Sequence, residues 1–200
     1  AQMFVSLHGQ SRTVLAVDPL GDAGLSTQGV PITSFDDQAD WVSDTLAALG
    51  IARAHLVGHS FGGSTAAIAA VRHPDQVASL TLLEPVIVVH RLPLSTYFWA
   101  AVSQLGVLPQ SWRDNALGHI GTGDAPGTRI DNPLARMIRI GSSGYLAAVP
   151  TPSELTDDQW RSLTMPVRLD VGGAGALAGG QDAVDRLHDL VPSARTQFWP

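Results

Sequence analysis

The sequence predicts an α/β fold, a doubly wound and mostly parallel sheet interrupted by a helical insertion, and three observations carry that prediction. Short β-rich apolar runs alternate with helical stretches from Arg12 to Leu83. The joints between them are short, and a strand, helix, strand order with short joints pairs strands in parallel. The alternation breaks between Pro85 and Pro150 and then resumes, which marks an insertion within one sheet.

Arg12 to Asp18 (RTVLAVD) is an apolar run closed by Pro19 and the Gly-rich stretch Leu20 to Thr27, and reads as a buried strand entering a loop. Ser34 then precedes Phe35, Ala39, Val42, Leu46 and Leu49 at helical steps, with Asp37 placed for a capping box and Gly50 as the stop. Ala54 to Gly58 is a second strand. Ser60 to Arg72 is an Ala-rich helix ended by His73-Pro74, and Val77 to Leu83 a third strand. From Pro85 to Pro150 aromatic residues (Tyr97, Phe98, Trp99, Trp112) mix with Gly and Pro, a texture expected of a mostly helical insertion. The sheet pattern returns with a capped helix near Thr156 to Leu163, a strand at Val167 to Val171, a helix at Asp182 to Leu190 and a strand at Thr196 to Trp199. The expected organisation is a core of residues 1–85 and 151–200 with residues 86–150 as a helical cap.

Composition narrows the chemistry. A chain of 200 residues, 44% apolar and 15% charged, can bury one good core. All 12 basic residues are Arg, so mechanisms that need a lysine amine are excluded, and the lack of Cys removes thiolate catalysis and thiolate metal sites. The formal charge of −6 disfavours nucleic acid and anionic lipid as partners. No stretch approaches the ~20 apolar residues of a membrane span, and the N-terminus lacks the pattern of a secretory signal. A soluble, cytoplasmic protein is expected, with no cofactor and no metal. The segment under way by Met3 looks like the continuation of a chain that starts elsewhere.

The sharpest motif is Gly58-His59-Ser60-Phe61-Gly62-Gly63. It follows a predicted strand and opens a predicted helix, the setting in which G-x-S-x-G forms a nucleophile elbow. Such a turn forces the Ser backbone into strain, so the residues two before and two after it, Gly58 and Gly62, are expected to be small to avoid collision. The strain lifts the Ser60 hydroxyl above the sheet, and the helix N-terminus aims backbone N–H groups at any oxyanion formed there, with the Phe61 amide as the natural donor. The plainer alternative is a tight turn in which Ser60 is simply an N-cap.

With these residues the stretch from Val14 to Pro85 resembles the α/β-hydrolase fold. VLAVDPLGDAGLS is similar to the strand and loop before a core helix, GHSFGG to the elbow, and HPDQVASLTLLEP to the following helix end and strand; the resemblance resumes at MPVRLDVGG. It implies a serine hydrolase whose inserted segment forms a cap, and a triad in the order Ser, acid, His. Two members of that triad are not where the resemblance would put them. The loop after Val167 to Val171 reads Gly172-Gly173-Ala174-Gly175-Ala176-Leu177, with no carboxylate at the expected place, which aligns with Gly175. Some relatives of the fold carry the acid at the end of the preceding strand, where Glu84 stands here. The alternative is that Glu84 is structural, capping the entrance to the insertion or pairing with an Arg. Asp182 is a weaker candidate, more simply a residue favoured by a helix N-terminus. The family's His follows the last strand, so it is expected beyond Pro200. His59, His90, His119 and His188 read as structural or solvated.

The front end holds a decoy. Phe4-Val5-Ser6-Leu7-His8-Gly9 is similar to the His-Gly oxyanion loop of the family. Only Gln10 and Ser11 would then join it to the run at Arg12, whereas parallel neighbours need a crossover of about a dozen residues. Residues 1–9 are therefore the tail of a helix, or a loop is missing between Gly9 and Arg12. Gly173-x-Gly175-x-x-Ala178 imitates a dinucleotide fingerprint, but too little chain follows for the rest of that unit. The acidic set Asp36, Asp37, Asp40 and Asp44 reads as a solvated helix face.

The expectation is a hydrolase acting on a small, largely apolar ester or related acyl bond. Ser60 would be its nucleophile, Glu84 its orienting acid, and the Phe61 amide its oxyanion donor. The rival is a hydrolase-fold protein that no longer catalyses and binds a small ligand or a partner instead. Esterase, lactonase, carbon–carbon hydrolase and cofactor-free haloperoxidase chemistry share the motif, and the oligomeric state is open.

Overall fold

A computed structural model describes residues 12–92, 94–105, 107–109, 149–173 and 178–200, together with positions 111, 112, 115, 116, 119, 140, 144 and 145. The decoy at residues 1–9 and position 175 lie outside the described residues, as does much of the 86–150 segment. The chain forms two compact units, one of residues 1–33 and 130–150, the other of residues 34–129 and 151–200.

In the first unit the run from Arg12 to Asp18, expected to be a buried strand, is not one: Leu15 and Val17 are about half exposed, at 52% and 51%. A strand exists only where a neighbour completes its backbone hydrogen bonds, and apolar composition cannot supply one. The local bonds go to a turn instead. The Asp18 carboxylate accepts from the Leu25 N–H at 2.8 Å, and its carbonyl accepts from the Ser26 hydroxyl at 2.6 Å.

The second unit carries the sheet. Helix α1 (Phe35–Ala48) starts at Ser34, whose hydroxyl accepts from the Asp37 N–H while the Asp37 carboxylate accepts from the Ser34 N–H, closing the capping box read from the sequence. Then follow β1 (Ala54–His59), α2 (Phe61–Arg72), a 3₁₀ turn (Pro74–Gln76), β2 (Val77–Leu83), α3 (Leu94–Gln104), α4 (Asp157–Arg161), β3 (Val167–Gly172), α5 (Gly180–Leu190) and β4 (Arg195–Trp199). The Thr156 cap opens α4, which is shorter than its apolar pattern suggests. The four strands are parallel in the order β1-β2-β3-β4.

Strand alternation sorts the side chains. Leu80, Leu82, Val167, Leu169 and Val171 are buried on one face with Ala66, Ala67 and Ala70 of α2 and with Leu187 of α5 in the same core. Each buried Leu or Val contributes about 1.5–3 kcal/mol of transfer free energy. The opposite face carries His55, Val57, Arg168 and Gln197, all exposed. Asp170 shares that face yet is buried. Arg168, two residues back and so on the same side, grips its carboxylate at 2.6 and 2.9 Å, and the Trp199 indole N–H donates to it at 3.1 Å. Those donors hold the Asp170 carboxyl below the usual carboxylate range, the Arg168 bonds contributing most.

The acidic face of α1 is more than solvated. Arg72 of α2 pairs with Asp36 at 3.0 Å and with Asp40 at 3.1 Å, and His73 Nε2 lies 2.8 Å from Asp40. A spacing argument along one helix could not show that Arg72 of the next helix supplies the opposing charge. Among the described residues no helix is long and apolar enough to cross a membrane.

Candidate active site

At the carboxyl end of β1 the chain turns sharply into α2. Ser60, at the turn, has φ 52° and ψ −122°, a conformation L-residues rarely adopt. Its N–H extends the sheet ladder to the Leu83 carbonyl at 3.0 Å, and its carbonyl accepts from the N–H groups of Gly63, Ser64 and Val86. The backbone on both sides of Ser60 is thus tied down. Its side chain makes no capping bond, so Ser60 is not an ordinary N-cap, and among the described residues its hydroxyl has no hydrogen-bond partner.

The glycines explain how so tight a turn closes. A Cβ on Gly58 would run into the Gly62 carbonyl group and come within 2.6 Å of the Gly63 Cα. One on Gly63 would lie 2.9 Å from the Pro85 Cβ and 3.2 Å from the Gly58 carbonyl oxygen. Gly62 corrects the sequence reading: a Cβ there meets nothing within 4 Å, because this residue faces outward on the first turn of α2. The second small residue that the packing requires is Gly63. The Gly-Gly doublet was the available signal, but choosing between its members needs the path of the chain at Pro85.

Glu84 ends β2 beside this turn. It too has positive φ, 48°, and its N–H donates to the Asp170 carbonyl at 2.9 Å. Its carboxylate accepts from the Gly172 N–H at the end of β3, and a Cβ on Gly172 would lie 2.8 Å from that oxygen. Glu84 has no ion pair with an Arg among the described residues. Ser60, Glu84 and Ile87 (φ 71°) are the non-glycine residues with positive φ among those described, and all three lie at the same end of the sheet. Such strain persists only where surrounding bonds over-determine it, and it concentrates at sites of function. Ser64, which the sequence reading passed over, adds one such bond: its hydroxyl donates to the Val86 carbonyl at 2.5 Å.

The Phe61 N–H, one residue after Ser60, lies in the first turn of α2, among the amides a helix cannot satisfy internally. Asp182 lies in the first turn of α5. None of the described histidines is hydrogen-bonded to Ser60 or Glu84. His55 meets Ser79 at 2.7 Å, His73 meets Asp40, His119 stacks on Trp99 with ring centroids 4.1 Å apart, His90 packs against Gly179, and His59 and His188 are exposed. Among the described residues no group of three or more His, Asp or Glu converges where a metal could sit.

Residues 2–126 match the family model described as alpha/beta hydrolase fold. Among curated proteins, the chain is 28% identical over 190 residues to carboxylesterase YbfK of Bacillus subtilis, covering 92% of this chain and 62% of that protein. It is 42% identical over 77 residues to a 2-hydroxymuconate semialdehyde hydrolase of Pseudomonas putida, covering 37% of this chain and 26% of that one. The chain therefore spans less than two thirds of these relatives. The structure of naproxen esterase from Bacillus subtilis superposes with a TM-score of 0.74 at 22% identity, over 90% of this chain and 64% of that one, a likeness of fold.

Proposed function

The chain belongs to the α/β-hydrolase fold family, and on that premise we propose that it is a serine hydrolase cleaving a small, largely apolar ester or related acyl bond. The observation that carries the reading is the backbone of Ser60, held at φ 52° between a strand and a helix, with a hydroxyl that has no hydrogen-bond partner among the described residues. A structural serine at a helix start would spend its oxygen on a cap. Here the oxygen is left for another purpose.

In the proposed reaction an imidazole takes the Ser60 proton as the oxygen attacks the carbonyl carbon and returns it to the leaving group as that bond breaks; a water deprotonated by the same imidazole then releases the acyl group from Ser60 as the acid. The negative charge that develops on the carbonyl oxygen is met by the Phe61 N–H and the positive end of α2. Glu84 orients the imidazole and stabilises its cation. A carboxylate in that role must not wander, and the bonds from its backbone to Asp170 and from its side chain to Gly172 support this assignment. The relatives named as a carboxylesterase and a semialdehyde hydrolase support the acyl-bond class.

The test uses the full-length protein, a short-chain nitrophenyl ester and a fluorophosphonate label. Ser60→Ala is expected to lower kcat at least about a thousandfold and to abolish labelling. Glu84→Gln should lower kcat about 10²–10⁴-fold with labelling slowed. Activity retained without Ser60 overturns the nucleophile, and an unchanged rate in Glu84→Gln moves the acid role elsewhere. A folded full-length protein that is neither labelled nor active would instead be a binding module.

A further inference from the structure

We infer that Arg186 is a positioning residue that locks two stretches of chain, residues 86–91 and 154–157, the stems on either side of residues 92–153, onto helix α5. Its side chain, only 25% exposed, serves four acceptors from two separate stretches of chain. One terminal nitrogen donates to the Val89 carbonyl and to Glu154 Oε1. The other donates to the Leu155 carbonyl at 3.2 Å and to Asp157 Oδ1 at 2.8 Å. The second oxygen of Glu154 accepts from Arg91 at 2.6 Å, so this carboxylate bridges the outgoing stem to the returning one. The stems also meet directly: the Leu155 N–H donates to the Val88 carbonyl at 3.1 Å, and Val88, Val89 and Leu155 are buried.

Two independent features say that the lock bears on the strained end of the sheet. Ile87 is buried with φ 71°, a conformation that a β-branched residue holds only under external constraint. The constraint comes from both sides of it, through the Val86 N–H bond to the Ser60 carbonyl and the Arg186 bond to Val89. The stem also rests on the start of α5, where Gly179, at φ 96°, leaves no room for a Cβ against the His90 side chain. Only a guanidinium fits the central role, because its rigid fork presents five donors, whereas an ammonium offers three from one point.

Removing Arg186 therefore frees residues 87–91, which follow the Val86 bond to Ser60, while leaving Ser60 and Glu84 anchored by bonds to β2 and β3 that Arg186 does not touch. Hydrogen exchange reads this directly. In Arg186→Gln the Leu155 amide is expected to exchange at least about tenfold faster, with Leu80 and Leu82 of β2 unchanged. Arg186→Lys should fall between. With the nitrophenyl ester, a readout that rests on the proposed hydrolase activity, KM should rise several-fold with kcat within about twofold of the parent. Exchange at Leu155 that is unchanged, or that rises in step with Leu80 and Leu82, overturns the lock whether or not the protein is an esterase, and so does an Arg186→Lys variant no different from Arg186→Gln. If Arg186→Gln does not fold, Glu154→Gln is expected to show the same selective exchange, and its absence there also overturns the inference.

Discussion

A single methyl group at Gly58 should test the geometry on which the site depends. Alanine there would place Cβ 2.5 Å from the Gly62 carbonyl carbon and 2.6 Å from the Gly63 Cα, against a comfortable separation of about 3.5–4.0 Å. All the atoms it meets are backbone, so none can swing aside, and relief comes only by opening the turn that strains Ser60. Overpacking of this kind costs about 1–3 kcal/mol, which for a chain of this size is a fall of about 2–12 °C in Tm. Alanine at Gly62 meets nothing within 4 Å and, in a helical first turn, should be neutral or stabilising by up to about 1 kcal/mol. Denaturant midpoints for the two variants, with fluorophosphonate labelling of Ser60 alongside, decide the matter. The expected pattern is a destabilised, slowly labelled Gly58→Ala beside a Gly62→Ala that keeps its stability. Equal losses in the two would refute the account of the elbow given above.

Two further outcomes follow from buried polar groups. Gln38 is fully buried on α1, and among the described residues neither of its amide atoms has a hydrogen-bond partner, so Gln38→Leu or Gln38→Met should raise stability by about 1–2 kcal/mol in a denaturant titration, since removing an unsatisfied buried amide recovers its desolvation cost; a loss of stability would show that the amide has a partner in solution. The Asp170 carboxyl is held below its ordinary range, first by Arg168 and then by Trp199. A depressed folded value means a stabilisation fully present above about pH 4 and lost as the pH falls from there through the lower value. The stability difference between the parent and Asp170→Asn should therefore be constant from neutrality down to about pH 4 and shrink below it. A difference that does not change with pH across that range would mean the carboxylate's charge contributes nothing.

The sequence was legible where the physics is local. The Ser34 and Asp37 pair, the stop at His73-Pro74 and the Thr156 cap are each decided within a few residues, and each element begins or ends where its own side chains dictate. The sharp turn at Ser60 was legible for the same reason, as G-x-S-x-G between a strand and a helix is a local pattern. The run at Arg12 to Asp18 misled because its apolar letters describe a strand only if a neighbour pairs with it. Gly62 misled because both glycines of the doublet look alike along the chain, and only the path of Pro85 over Gly63 tells them apart.

By itself the amino-acid order determined the parallel α/β architecture, the strained serine and the carboxylate at the end of the following strand, because patterning, capping and turn chemistry act over distances of one turn or one strand. The folded chain alone decided where that carboxylate is tethered, that the Trp199 indole reaches Asp170, and that Arg186 gathers four acceptors from two remote stretches. Those are contacts between residues from 29 to 97 positions apart in the chain, and they exist only once the sheet has brought its ends together.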